Sequence, residues 1–186
     1  MGRPEMTASS GEAPFSVLAL AAWILVTGAA TVAVILVAVR ASGAVARHLE
    51  SPRWIAALTL FGFGLVLVAT LLPTLAALDG QPSSGVCDLS RVGLPPLRKL
   101  TSVNLVSLNV VLFVPLGVAV GLVPWNRGNM IVIVAAVSLT FVVETIQLAL
   151  PILGRGCESA DMIDNSLGLA LGLVVGLLAR PHVGRT

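Results

Sequence analysis

The chain has 186 residues, of which 56% are hydrophobic and only 11% are charged. Its mean hydropathy of +0.99 excludes an ordinary soluble domain and predicts an integral membrane protein. The formal net charge of +2 is too small to indicate a nucleic-acid partner.

The apolar residues fall into five segments, each long enough for the roughly 20 residues that a helix needs to cross a bilayer. We therefore predict an all-α, polytopic membrane helix bundle with the lipid bilayer as its surroundings. Residues 1–15 are polar and are expected to form a disordered tail, residues 16–180 a single transmembrane domain, and residues 181–186 a short carboxyl-terminal tail. The predicted spans are 16–39, 54–78, 102–123, 130–150 and 162–179.

The longest connection, residues 79–101, joins the second and third predicted spans. It contains several glycines and prolines together with Cys87, Arg91, Arg98 and Lys99. Loops of this length without regular structure are often functional or fold over a site.

The distribution of arginines near the first span predicts the orientation. Three arginines follow this span, Arg40, Arg47 and Arg53, against one before it, which favours an extracytoplasmic amino terminus and a cytoplasmic carboxyl terminus. This topology puts the two cysteines, Cys87 and Cys157, on the same outer side, where oxidising conditions permit a disulfide. Two free thiols are the alternative.

Polar side chains gather where the fourth and fifth predicted spans meet. Because a charge at mid-membrane costs roughly 2.5–3.5 kcal/mol on insertion scales, such residues usually face the bundle interior. Glu144 is the deepest acid, and Arg155 is predicted to fold back onto it as a bidentate partner. We call the set the polar cluster; its members are Asn109, Glu144, Gln147, Arg155, Asp161, Asp164 and Asn165.

Four pieces of sequence, in this order and at these spacings, resemble the VanZ-like family of small bacterial membrane proteins. They are NVVLFVPLG at 109–117, ETIQ at 144–147, GR at 154–155, and DMIDNSLG at 161–168 with Gly172 following, and the resemblance covers residues 60–178. The family often has two adjacent acids before the asparagine. Here Ala160 occupies the first of those places, and Asp164 adds an acid directly before Asn165.

The named member of that family is associated with low-level resistance to teicoplanin, a lipoglycopeptide that acts on cell-wall precursors outside the membrane. The resemblance implies a related role in the bacterial cell envelope, at the outer leaflet. The partner on this interpretation is a lipid head group, a cell-wall precursor or a lipoglycopeptide.

Glycines recur at every fourth residue in two of the predicted spans, a spacing that lets helix backbones approach closely. We interpret Gly117, Gly168 and Gly172 as packing positions. Pro115, in the same motif, is interpreted as a kink that shapes a crevice between helices.

Three functions fit the polar cluster. It is a structural network that joins the last three spans, a pocket for a polar ligand with Arg98, Lys99 and Arg155 as anion contacts, or an enzyme site in which Glu144, Asp161 and Asp164 hold Mg²⁺ against a lipid phosphate. No common catalytic motif is present, which favours a non-enzyme without cofactor or resident metal and leaves the enzyme as the alternative.

Overall fold

The computed structural model describes residues 17–183. These residues form seven α-helices, one 3-10 turn and a sheet of two short strands. The elements are α1 (Val17–Leu49), α2 (Arg53–Leu71), α3 (Leu75–Leu78), β1 (Cys87–Asp88), α4 (Leu97–Leu100), α5 (Leu105–Leu122), α6 (Met130–Ala149), the 3-10 turn (Pro151–Leu153), β2 (Cys157–Glu158) and α7 (Ser159–Val183).

Five of the described helices, α1, α2, α5, α6 and α7, are long and apolar enough to cross a membrane, which confirms the predicted all-α membrane bundle. The predicted tail at 1–15 lies outside the described residues. At the other end, α7 continues to Val183, so the predicted tail at 181–186 begins in the helix, and 184–186 lie outside the described residues.

Two predicted boundaries differ most from the structure. Helix α1 does not end at Val39 but continues to Leu49, because residues 40–49 contain alanines and no proline. Its 33 residues span about 50 Å, which exceeds the roughly 30 Å of the hydrocarbon core. Helix α2 ends at Leu71 rather than at residue 78, since Leu72 precedes Pro73 and is extended, with φ −75° and ψ 141°.

The spanning helices alternate in direction, and side-chain contacts hold each end of the bundle together. At one end, which we call the loop end, Trp23 Nε1 donates to the Pro73 carbonyl at 3.1 Å and Gln147 Nε2 to the Thr70 carbonyl at 3.0 Å. At the opposite end, Asn129 Nδ2 donates to the Leu49 carbonyl at 3.0 Å. Because the helices alternate in direction and α1 begins at the loop end, α5 and α7 also begin there.

Helices α5 and α7 pack backbone against backbone through their glycines. A Cβ atom on Gly172 would meet the Val114 carbonyl, and one on Gly168 would meet the Val110 carbonyl. Conversely, a Cβ on Gly117 of α5 would meet the Leu169 carbonyl of α7. Small residues are thus required on both helices, and α5 continues as a helix through Pro115.

The loop between α2 and α5 is attached to the connection between α6 and α7. Strands β1 and β2 pair in parallel, with Cys87 opposite Cys157 and Asp88 opposite Glu158. Cys87 and Cys157, left open by the sequence as bridged or free, are joined by a disulfide with a Cα–Cα distance of 4.5 Å. This bond joins positions that are 70 residues apart and places the loop beside the start of α7.

Candidate functional site

A buried ion pair anchors the loop to α7. Asp164, whose side chain is 0% exposed, forms a salt bridge with Arg91, whose side chain is 25% exposed. Arg91 Nη2 also donates to the Ala160 carbonyl at 2.6 Å, and Ser159 Oγ donates to the Arg91 carbonyl at 2.7 Å. Residue 91 is therefore held by its side chain and its backbone on the first turns of α7.

Part of this pair has no hydrogen-bond partner. Asp164 Oδ2 and Arg91 Nε are buried and make no hydrogen bond within the part of the chain that the structure describes. Asn165 Oδ1, on the next residue of α7, is also buried and has no hydrogen-bond partner among the described residues. Buried polar atoms are usually paired, so unpaired ones beside a cavity indicate capacity for a ligand or water.

Asp161 lies one turn before Asp164 on α7. The side chain of Asn109 on α5 lies beside its carboxylate. The negative charges of Glu158 and Asp164 and the positive charge of Arg91 all act on it. Asn109 thus links the two glycine-packed helices at the point where the charged residues gather.

The short helix α4 contributes two cations, Arg98 and Lys99, and both side chains are exposed. A capping network fixes α4 relative to α5. Asn104 Nδ2 donates to the Lys99 carbonyl at 2.7 Å, while Asn104 Oδ1 accepts from the Ser107 amide at 3.3 Å. The amino-terminal cap of α5 therefore also sets the position of the α4 cations.

These residues line one cavity of about 700 Å³ at the loop end, which we call the charged pocket. It has three basic and three acidic lining residues, so their formal charges cancel. The bases come from the loop and α4, and the acids from β2 and the first turns of α7. The lining residues are Arg91, Arg98, Lys99, Ser102, Asn104, Leu105, Val106, Glu158, Ala160, Asp161 and Asp164.

The predicted bidentate pair of Glu144 and Arg155 is wrong. Glu144 is buried, and its Oε2 accepts the Glu158 amide at 2.9 Å. Arg155 Nε instead donates to the Leu72 carbonyl at 3.5 Å, and Arg155 interacts with Glu144 and Asp161 only at longer range. The reason lies in Gly154, whose φ of 65° turns the chain after the 3-10 turn and directs Arg155 toward the end of α2.

Burial lowers the pKa of the Arg155 guanidinium, and the charges of Asp161 and Glu144 act in the opposite direction. Gln147 has a similar position, because its Nε2 donates to the Thr70 carbonyl. Both residues contact carbonyls at the end of α2, where helical partners are lacking. Arg155 and Gln147 do not line the charged pocket.

The structure thus divides the polar cluster into two parts. Glu144, Gln147 and Arg155 stabilise the connections of α2, α6 and β2, whereas Asp161 and Asp164 line the charged pocket and Asn109 and Asn165 lie beside them. The sequence pointed to the loop that contains Arg91 and to the junction that contains Glu158, but these two residues were not predicted as members of the polar cluster. The available signal for Arg91 was its place four residues after Cys87, which the disulfide brings to α7.

The three acids proposed to hold Mg²⁺ do not form one group of metal ligands. Glu144 accepts a backbone amide, one oxygen of Asp164 pairs with Arg91, and Asp161 lies beside Asn109. Within residues 17–183 there is no group of three or more His, Cys, Asp or Glu side chains placed to hold a metal ion.

The fold and the site together define a multi-pass membrane helix bundle with a charged pocket at one end. The model of the VanZ/LLP1 family matches residues 15–180, and the chain belongs to this family. The match confirms the family predicted from the sequence and begins well before residue 60, so that it includes α1. No curated protein and no solved structure matches the chain.

Proposed function

We propose that the charged pocket binds the polar head group of an envelope lipid or a lipid-linked cell-wall precursor. The observation that carries this proposal is the position of Arg98 and Lys99 in a cavity of about 700 Å³. Both are exposed, and neither forms a salt bridge with any residue in 17–183. Arginine and lysine in such positions are the usual ligands of phosphate groups.

The apolar side chains beside the pocket support a ligand that remains partly in the bilayer. Leu97, Val103 and Leu105 are 79%, 93% and 78% exposed and lie on or next to α4 and the start of α5. Cations next to exposed aliphatic side chains are typical of the membrane interface, where head groups meet acyl chains. A lipid would keep its tails in the leaflet while its head group enters the pocket.

We place the loop end on the extracytoplasmic side. Two observations support this orientation, which corresponds to an outer amino terminus and a cytoplasmic carboxyl terminus. Disulfides such as Cys87–Cys157 persist in oxidising compartments. At the opposite end, the last turn of α1 and the first residue of α2 carry the exposed residues Arg47 and Arg53, and arginines that follow the first span favour a cytoplasmic position.

From this position the protein would meet the same lipid-linked precursors as teicoplanin-type antibiotics do. The protein would contribute to resistance by binding the head group of a precursor and so reducing the antibiotic's access to that precursor. The family resemblance supports this role, and the test is antibiotic susceptibility. Cells expressing the wild-type chain should tolerate more teicoplanin than cells expressing Arg98→Gln/Lys99→Gln at equal protein abundance.

The binding step is tested separately by native mass spectrometry of the purified protein in mild detergent. We expect wild type to retain envelope lipid and Arg98→Gln/Lys99→Gln to lose affinity roughly tenfold or more, since each charge-assisted hydrogen bond is worth about 1.5–3 kcal/mol. Arg127→Gln, an exposed arginine at the opposite end, is the matched control and should retain lipid. Equal retention by all three proteins would contradict the proposal.

The second candidate is a purely structural role for the residues that line the charged pocket, and the salt bridge between Arg91 and Asp164 favours it. That role predicts loss of stability without a specific loss of ligand. Because Arg98 and Lys99 form no salt bridge within residues 17–183, their substitution separates the two functions: binding should fall while the thermal stability of the protein stays the same.

A further inference from the structure

We infer that the head group bound by the charged pocket is zwitterionic, with a phosphate at Arg98 and Lys99 and a primary ammonium at Asp161 and Asp164. This inference rests on the proposed function and adds the chemical class of the ligand. A phosphoethanolamine-type head group has both charges a few bonds apart.

The first support is the mixed charge of the pocket lining. Arg98 and Lys99 come from α4, and Asp161 and Asp164 come from α7. Since Asp164 pairs with Arg91, two cations and two acids, Glu158 and Asp161, are left without a salt bridge within residues 17–183. A purely anionic ligand would be repelled by the acids of the lining, whereas a zwitterion complements lining residues of both signs.

The second support is the unpaired oxygen of Asp164. Its side chain is 0% exposed, it lines the pocket, and its Oδ2 accepts no hydrogen bond from any residue in 17–183. A primary ammonium carries three N–H donors, enough to reach Asp164 Oδ2 and the neighbouring Asp161 carboxylate together. A quaternary ammonium, as in choline, has no N–H and leaves the buried oxygen unpaired. The geometry therefore favours a primary amine over its trimethylated form.

The test compares three lipids with identical acyl chains, bound to the full chain in mild detergent and measured by native mass spectrometry. The head groups are phosphoethanolamine, phosphocholine and phosphoglycerol. We expect phosphatidylethanolamine to bind roughly tenfold more tightly than the other two, which is the ratio that one additional charge-assisted hydrogen bond gives. Equal or tighter binding of phosphatidylglycerol or phosphatidylcholine would overturn the inference but leave head-group binding in place. Binding of none of the three would overturn both.

Asp161→Asn is the informative variant, because Asp161 has no salt bridge to lose and the protein should stay folded. It should abolish the preference for phosphatidylethanolamine while phosphatidylglycerol binding stays the same or rises. The matched control is Asp79→Asn, an exposed acid of the α2–α5 loop outside the pocket, which should keep the preference. A preference that persists in Asp161→Asn would count against the ammonium site.

Soluble O-phosphoethanolamine distinguishes a lipid from a free head group. We expect it to displace the bound lipid only at concentrations far above those of the lipid itself, because it lacks the acyl chains that concentrate the ligand at the membrane. Displacement at equal concentrations would show that the free compound, rather than the lipid, is the ligand.

Discussion

Arg91 and Asp164 are separated by 73 positions and form a salt bridge that attaches the α2–α5 loop to α7. The Cys87–Cys157 disulfide and the β1–β2 pairing make this approach possible, since they bring the loop to the start of α7. The pair in turn places a cation beside the acids of the charged pocket. One set of contacts therefore determines both the attachment of the loop and the charge of the site.

Breaking this salt bridge should destabilise the protein. Arg91→Gln leaves Asp164 buried without its cation and is expected to lower the free energy of unfolding by roughly 3 kcal/mol. In Arg91→Gln/Asp164→Asn no buried charge remains, so the double variant should be more stable than Arg91→Gln alone. Unfolding in detergent measures the wild type, the single variants Arg91→Gln and Asp164→Asn, and the double variant. Strictly additive effects would show that the two side chains are not coupled.

The disulfide should report the orientation of the protein in intact cells. With the loop end outside, a membrane-impermeant maleimide should label neither cysteine before reduction and both Cys87 and Cys157 after an impermeant reductant. Labelling only after the membrane is permeabilised would place the loop end in the cytoplasm. Labelling without reductant would show that the disulfide is not formed in the cell.

The glycines between α5 and α7 should tolerate no larger residue. Gly172→Ala puts a Cβ against the Val114 carbonyl and the Val118 amide, both of which are backbone groups that cannot turn aside. We expect a loss of about 1–3 kcal/mol, typical of overpacking, seen as a lower melting temperature. Gly28→Ala is the control: no heavy atom lies within 4 Å of its added Cβ, so its melting temperature should stay the same or rise slightly.

Gln147 should act through the end of α2 rather than through the pocket. Gln147→Leu keeps the size of the side chain but leaves the Thr70 carbonyl without its donor, at a cost of about 1–3 kcal/mol. Lipid binding by the folded fraction should be unchanged, because Gln147 does not line the charged pocket. The control Thr145→Val, on an exposed position of the same helix, should change stability by less than about 0.5 kcal/mol. A selective loss of lipid affinity in Gln147→Leu would assign it to the pocket instead.

Much of the fold could be predicted because the hydropathy of each span is a local property of the sequence. The number of spans, the all-α class and the family followed from it and from the motifs at Asn109, Glu144 and Asp161. The end of α1 could not be predicted, since the alanine-containing residues 40–49 continue a helix after the apolar span has ended. The strands β1 and β2, only two residues each, depend on a long-range contact and have no sequence pattern of their own.

The acidic residues of the site could be predicted from the sequence, but the residues that pair with them could not. Asp161 and Asp164 could be selected because acids are rare in such an apolar chain. Arg155 was assigned to Glu144 because it is the nearest cation in sequence, but the turn at Gly154 directs it to α2. The pairing of Arg91 with Asp164 was not predicted, because it depends on the disulfide and on the path of the whole loop, neither of which is encoded by nearby residues.

Lys99 offers a direct probe of lipid head-group binding in the charged pocket, because it is the only lysine among the 186 residues. Reductive methylation with ¹³C-formaldehyde keeps its charge and gives one lysine resonance. Titration with short-chain phosphatidylethanolamine should shift this resonance saturably in wild type and much less in Asp161→Asn. A Lys99 resonance that does not move, or moves linearly as it does with added detergent, would contradict the proposed binding site.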